Sequence, residues 1–289
     1  MIENDEPGAA AVMRTVYPET GKAAIVGVTG PPGGGKSTLV ARLGASYREQ
    51  GARVAVVAVD PSSPFTGGAL LGDRIRMRDG FLDDGLFIRS MASRGHSGGL
   101  ARATLRVVNL LDALGTGVIL VETVGVGQEE VEVVRVADTV CLVTVPGLGD
   151  DIQALKAGVL EIADVLVVNK SDRPGADETV RDLATMLSLG KGRLEFTPPI
   201  VRTSAQSGEG IAELVAAIAK HREWAARSGE RERRRLAAAR GEIEALLREE
   251  LVRRLRGRVG ADRVDDIVKR VAARSLDPYT AIDELLSTR

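Results

Sequence analysis

One loop constrains this chain more than any other feature. An apolar run at residues 23–28 leads directly into Gly30-Pro31-Pro32-Gly33-Gly34-Gly35-Lys36-Ser37-Thr38. The segment matches G-x-x-x-x-G-K-[ST] in the context the motif requires, between a buried strand and a helix. Small residues let the backbone curl so that successive N–H groups point inward at phosphate oxygens. The helix that follows adds the positive end of its dipole. Lys36 then reaches the β- and γ-phosphates, and the Ser37 hydroxyl is placed to ligate Mg²⁺. Gly30 to Thr38 together therefore predict a P-loop NTPase that binds nucleoside triphosphate, without choosing the base.

The rest of the chain agrees with that fold. Apolar runs of strand type occur at 54–59, 86–88, 118–121, 139–145 and 165–168, with a weaker one at 200–203. Several are continuous Val/Ile/Leu rather than alternating, as expected of parallel strands covered on both faces. Helical stretches are expected at 37–50, 99–114, 129–137, 151–162, 178–189 and 210–220. The alternation predicts an α/β domain with a mostly parallel sheet flanked by helices. From residue 222 the chain turns Arg/Glu-rich, with Ile243, Leu247, Leu251 and Leu255 at four-residue spacing beside Leu246, an amphipathic helix. Further helices follow around Val264–Val271 and from Asp277-Pro278, where an N-cap precedes proline at the first helical position. The expected organisation is a leader at 1–21, a nucleotide-binding domain at 22–220 and an all-helical arm at 221–289.

The base is read further along. The strand at 165–168 ends in Asn169-Lys170-Ser171-Asp172, the N-K-x-D pattern of guanine readers. An Asp172 carboxylate accepts both the ring N1–H and the exocyclic amino N–H of guanine; adenine offers neither in that geometry. Lys170 would lay its aliphatic stem over the base. Thr203-Ser204-Ala205 stands where a second guanine-contacting loop is expected, though an ordinary strand-end turn fits as well. GTP and GDP are therefore the expected ligands.

For the metal, the strand at 118–121 leads to Glu122-Thr123-Val124-Gly125, with Glu where D-x-x-G has Asp. A carboxylate there holds Mg²⁺ or its waters, and Gly125 allows its backbone to approach the γ-phosphate. Asp60, after the strand at 54–59, and Asp73 are further acidic candidates. Gln128 is a candidate for orienting the attacking water, with a solvated glutamine at a helix start as the alternative. Without a clear water-orienting group, slow intrinsic hydrolysis that a partner accelerates is expected.

These segments, with Ser93-Arg94-Gly95 and Gly147-Leu148-Gly149-Asp150-Asp151, resemble the MeaB/ArgK family of GTPases. The likeness runs from about Tyr17 to the C-terminus and includes Asp277-Pro278-Tyr279. Members usually carry a longer helical segment ahead of the P-loop. The resemblance implies a G domain of the dimerisation-linked class and a C-terminal arm that builds a homodimer. It implies Mg²⁺ held by Ser37, with Asp60, Asp73 and Glu122 contributing directly or through water. It implies a third switch at 147–156. It also implies a partner, an adenosylcobalamin-dependent acyl-CoA mutase of the methylmalonyl-CoA mutase type, whose cofactor delivery and protection GTP hydrolysis would control.

Composition narrows the rivals. A formal net charge of −1 over 289 residues gives no electrostatic case for nucleic acid or an anionic membrane. No apolar stretch approaches the length of a membrane span, the acidic N-terminus lacks a signal-peptide core, and a cytoplasmic location is expected. Two histidines and one cysteine argue against a metal-delivery GTPase of the same G-domain class. Cys141, inside an apolar run, reads as a buried small hydrophobe. An ATPase or kinase linked to amino-acid transport is the other rival, and Asn169–Asp172 speaks against it.

Overall fold

A computed structural model of the chain describes residues 2, 6, 8–61, 83–93, 99–123, 136–147, 162–189 and 195–287. These residues fall into two compact units, Met1–Arg235 and Leu236–Arg289.

The first unit is built on a seven-stranded sheet in the order β3-β2-β4-β1-β5-β6-β7. The strands are β1 (Ala24–Thr29), β2 (Val54–Pro61), β3 (Leu86–Ser93), β4 (Val118–Thr123), β5 (Thr139–Thr144), β6 (Val165–Val168) and β7 (Ile200–Arg202). Every pairing is parallel. The expected continuous apolar runs are the strands, and β1, β4, β5 and β6 are buried along nearly their whole length. The run at 86–88 proves longer, reaching Ser93, because it pairs with β2 residue by residue from Val54↔Leu86 to Pro61↔Ser93.

Helices cover both faces. α1 (Ala9–Val16) precedes a 3-10 turn at Tyr17–Glu19; α2 (Lys36–Glu49), α3 (Gly99–Ala113), α4 (Ala176–Leu189) and α5 (Ile211–Ser228) lie between or after strands. Leu39, Val40 and Leu43 of α2 and Leu214 and Ile218 of α5 pack on Val26, Val28, Val56, Leu120, Cys141 and Val167. The opposite face packs Val108 and Leu111 of α3 on Val57, Ile119 and Val121, and Leu183 of α4 on Leu142 and Leu166. Successive residues of one strand thus serve opposite faces, and each fully buried Leu or Val contributes about 1.5–3 kcal/mol. Cys141 is fully buried, and burial pushes its thiol well above the usual range, so it serves packing.

Register aligns the strand ends. Val28 stands opposite Glu122, Thr29 opposite Leu142, and Thr144 opposite Val168. The carboxyl ends of β1, β4, β5 and β6 therefore reach one edge of the sheet, where chain order reverses around β1 and ligands of such folds bind.

The helix expected at 210–220 continues to Ser228 and stops at Gly229, which takes the left-handed conformation. Its extra turns carry His221, which is fully buried, and Trp224; both rings pack against Phe196. A buried polar cluster lies beneath them. Asp164, just ahead of β6, accepts the Val140 amide and both terminal nitrogens of Arg234 at 2.7 and 2.8 Å. His221 Nε2 lies 3.1 Å from Asp164 Oδ1 while Nδ1 meets the Thr139 hydroxyl. Burial pushes the Asp164 carboxyl up, but Arg234 and His221 outweigh it and hold it below the ordinary aspartate range. Asp112 near the end of α3 likewise receives the amides of Gly21, Lys22 and Ala23 at the entry to β1.

The second unit consists of most of α6 (Glu230–Val259), with α7 (Ala261–Ala272) and α8 (Pro278–Ser287). α8 starts as expected: Pro278 is its first residue, and Asp277 Oδ1 accepts the amides of Tyr279 and Thr280. Arg270 pairs with Glu284 to join α7 to α8, and the Arg258 guanidinium donates to the Leu286 carbonyl. No residue of α6 is buried, and Ile243, Leu247 and Leu251 are each more than half exposed. No helix among the described residues is long and apolar enough to cross a membrane.

Candidate functional site

The loop after β1 is already curled. Gly30 has φ +142°, and a Cβ on it would lie 2.1 Å from the Val143 carbonyl oxygen. Gly35, φ +83°, caps α2, and a Cβ there would meet Asn169 Nδ2 at 2.6 Å. Both positions require glycine, on conformation and on space. The Gly35 cap brings no side-chain acceptor to the first turn of α2, the end of a helix at which anions meet backbone N–H groups.

The carbonyls of this loop are gathered by cationic and amide side chains. Lys36, itself buried, donates through Nζ to Gly30 O at 2.7 Å and Pro31 O at 3.0 Å. Lys170 Nζ donates to Gly33 O at 2.7 Å, and Asn169 Nδ2 to Gly34 O at 2.8 Å. Pro32 and Thr38 are exposed at either end of the loop.

Asn169 works in two directions. It is 1 % exposed, and its Oδ1 accepts the Thr203 hydroxyl and the Ala205 amide, both at 3.1 Å. One side chain thus spans the phosphate loop, the end of β6 and the loop after β7. Lys170 takes the left-handed conformation at φ +54°, a turn that follows directly on the strand, and the Asp172 carboxylate two residues on is exposed. Ser204 and Ala205 are buried, and Ser204 closes a small turn with Glu209 and Gly208. The sequence pattern missed these ties, because Asn169 and Gly34 lie 135 residues apart.

On the other side of β1, the Ser37 hydroxyl donates to Glu122 Oε1 at 2.6 Å, and Glu122 is 2 % exposed. Val28↔Glu122 pairing brings this carboxylate to the phosphate loop. A hydroxyl and a carboxylate in contact are a hard-oxygen donor pair of the kind Mg²⁺ takes when phosphates and water complete its shell. The other expected residues are not brought into view. Asp60 is the last residue but one of β2, with its side chain outside the described residues; Asp73, Gly125 and Gln128 lie outside them, as do Arg94 and all of 147–156 but Gly147.

Residues 1–259 match the family described as Methylmalonyl Co-A mutase-associated GTPase MeaB. The chain belongs to the MeaB family of GTPases. A protein of Pyrococcus abyssi is 49% identical to this MeaB-family chain over 289 residues, 99% of this chain and 89% of the relative. The mouse Methylmalonic aciduria type A homolog, mitochondrial, is 35% identical over 266 residues, 90% of this chain and 64% of the relative. Among solved structures, the LAO/AO transport system kinase aligns over 98% of this chain and 88% of its own, with TM-score 0.71 and 27% identity. The MeaB-family assignment and this likeness agree with the parallel sheet and P-loop described above.

Proposed function

We propose that this chain is a Mg²⁺-dependent GTP hydrolase that acts as a nucleotide-controlled chaperone of an adenosylcobalamin-dependent acyl-CoA mutase. The observation that carries the nucleotide reading is the pair of bonds from Asn169 and Lys170 to Gly34 O and Gly33 O. They join the base-reading segment to the phosphate loop, so guanine and phosphates are read by one connected surface. The exposed Asp172 carboxylate beside it is free to accept two N–H groups of guanine.

In this mechanism, the backbone N–H groups from Gly33 to Thr38 and the Lys36 ammonium hold the phosphates; Gly30, Pro31 and Pro32 shape the turn before them. Lys36 exchanges the carbonyls of Gly30 and Pro31 for phosphate oxygens. Ser37 and Glu122 would hold Mg²⁺, directly or through water; Asp60 and Asp73 are proposed to join them, and Gly125 to meet the γ-phosphate. The metal supplies charge neutralisation of the β- and γ-phosphates. Gln128 is proposed to orient water, with hydrolysis slow until a partner orders the site.

The mutase reading draws on the family description and on the name of the mouse relative. The second unit of this chain is proposed to pair with a second copy, since the exposed stripe of Ile243, Leu247 and Leu251 leaves α6 without a buried side chain. The likeness to a transport-system kinase supports an ATP-using alternative, which predicts the opposite base preference.

Calorimetry with GDP and ADP tests the base, and Asp172→Asn tests its mechanism. GDP should bind far more tightly than ADP, and the variant should lose GDP while gaining xanthosine diphosphate, whose 2-oxo group matches the new amide donor. Equal binding of ADP would reject the reading. Co-purification with an adenosylcobalamin mutase, in GDP and in a GTP analogue, tests the partner; binding that ignores the nucleotide would reject the switch.

A further inference from the structure

The loop that follows β7 is held from a second direction, by a residue outside every nucleotide-binding motif. Arg42 lies on α2, whose first residue is Lys36. Its Nε donates to Ala205 O at 3.1 Å and its Nη2 to Gln206 O at 2.8 Å, across 163 and 164 residues of sequence. The guanidinium fork fits two successive carbonyls, which a point-charge ammonium does not.

These bonds close a circuit. Gly34 O accepts Asn169 Nδ2, Asn169 Oδ1 accepts the Ala205 amide, and Ala205 O accepts Arg42. α2 then runs back through Lys36 to the phosphate loop. The segment between is tied within itself, Ser204 N to Glu209 O and Gly208 N to Ser204 O, so it moves as one small body. Asn169 holds that body from β6, and Arg42 holds it from the phosphate helix.

We propose that Arg42 is a positioning residue for the base: it fixes the loop at Ser204–Gln206 relative to the phosphate helix, and so sets the place of the guanine ring. This inference rests on the GTP reading above. The hydrogen bonds of Arg42 go to Ala205 O and Gln206 O, and not to the phosphate loop or the Ser37–Glu122 pair, so its removal should act on the base and spare the phosphates. A side chain that merely braced α2 would affect both.

The experiment compares wild-type chain, Arg42→Ala and Arg42→Lys by calorimetry with GDP, ADP and inorganic tripolyphosphate, each with Mg²⁺, with thermal unfolding alongside. Arg42→Ala should weaken GDP about fivefold to tenfold, the scale of two partly exposed charge-assisted hydrogen bonds. Tripolyphosphate should stay within about twofold, and Arg42→Lys should recover part of the GDP affinity by reaching one carbonyl. Unchanged GDP affinity in Arg42→Ala overturns the proposal, as does an equal loss of GDP and tripolyphosphate. A wild-type protein that binds ADP as well as GDP instead overturns the underlying GTP reading, and does so before any variant is compared.

Discussion

Removing the Asn169 side chain should damage phosphate binding as well as base binding. In Asn169→Ala, Gly34 O loses its donor, and the Thr203 hydroxyl and Ala205 amide lose their acceptor. Each stranded buried group costs about 1–3 kcal/mol. The Thr203 hydroxyl can rotate to another acceptor, and a water can enter the vacated space to satisfy one more group. One group stays stranded, so the net cost is about 2 kcal/mol. Most of it falls on the arrangement that binds ligand, because the three groups belong to the loops around the nucleotide. GDP affinity should therefore drop about 30-fold. Tripolyphosphate, which has no base, should drop by about tenfold or more, because Gly34 is no longer held. Calorimetry of both ligands, with Asp172→Asn as comparator, makes the measurement; the comparator should lose GDP and keep tripolyphosphate. Full tripolyphosphate affinity in Asn169→Ala would refute the reasoning and leave Asn169 a base contact only.

Three further outcomes are expected. Gly30→Ala should fail to bind nucleotide and should unfold more readily by about 3 kcal/mol or more in urea, since its Cβ would meet Val143 O at 2.1 Å. Glu122→Gln keeps an acceptor for Ser37 but removes the charge, so the gain in GDP affinity on adding Mg²⁺ over EDTA should shrink and GTP hydrolysis should fall; an unchanged Mg²⁺ dependence would remove Glu122 from the metal site. Asp164, held below its ordinary value of 3.8, stabilises the fold fully above that value and loses the contribution as pH falls through its lower folded value. Arg234→Ala, which leaves that buried carboxylate short of its bidentate partner, should cost about 2–3 kcal/mol at neutral pH, and the deficit in denaturant titrations should narrow as the solution is acidified below the aspartate range.

Much of this protein is written locally. Strands buried on both faces must be apolar along their length, so the runs at 118–121 and 165–168 are recognisable without knowing their neighbours. The phosphate loop is equally legible, since Gly30 and Gly35 answer to backbone conformations that side chains forbid and Lys36-Ser37 to fixed reach along one helix. Asn169-Lys170-Ser171-Asp172 names a base for the same reason: its chemistry lies within four residues. Local patterns also mislead at their ends, as where the helix after β7 runs on to Ser228 until Gly229 releases it. What no local pattern carries is partnership across the sheet. Strand order places Glu122 beside Ser37 and brings Asn169 to Gly34 and Arg42 to Ala205. The same order brings Arg234 to Asp164. Those pairings depend on which strands become neighbours, a choice made by packing of the whole domain, and a hydrogen bond between distant residues leaves no spacing in the sequence to read.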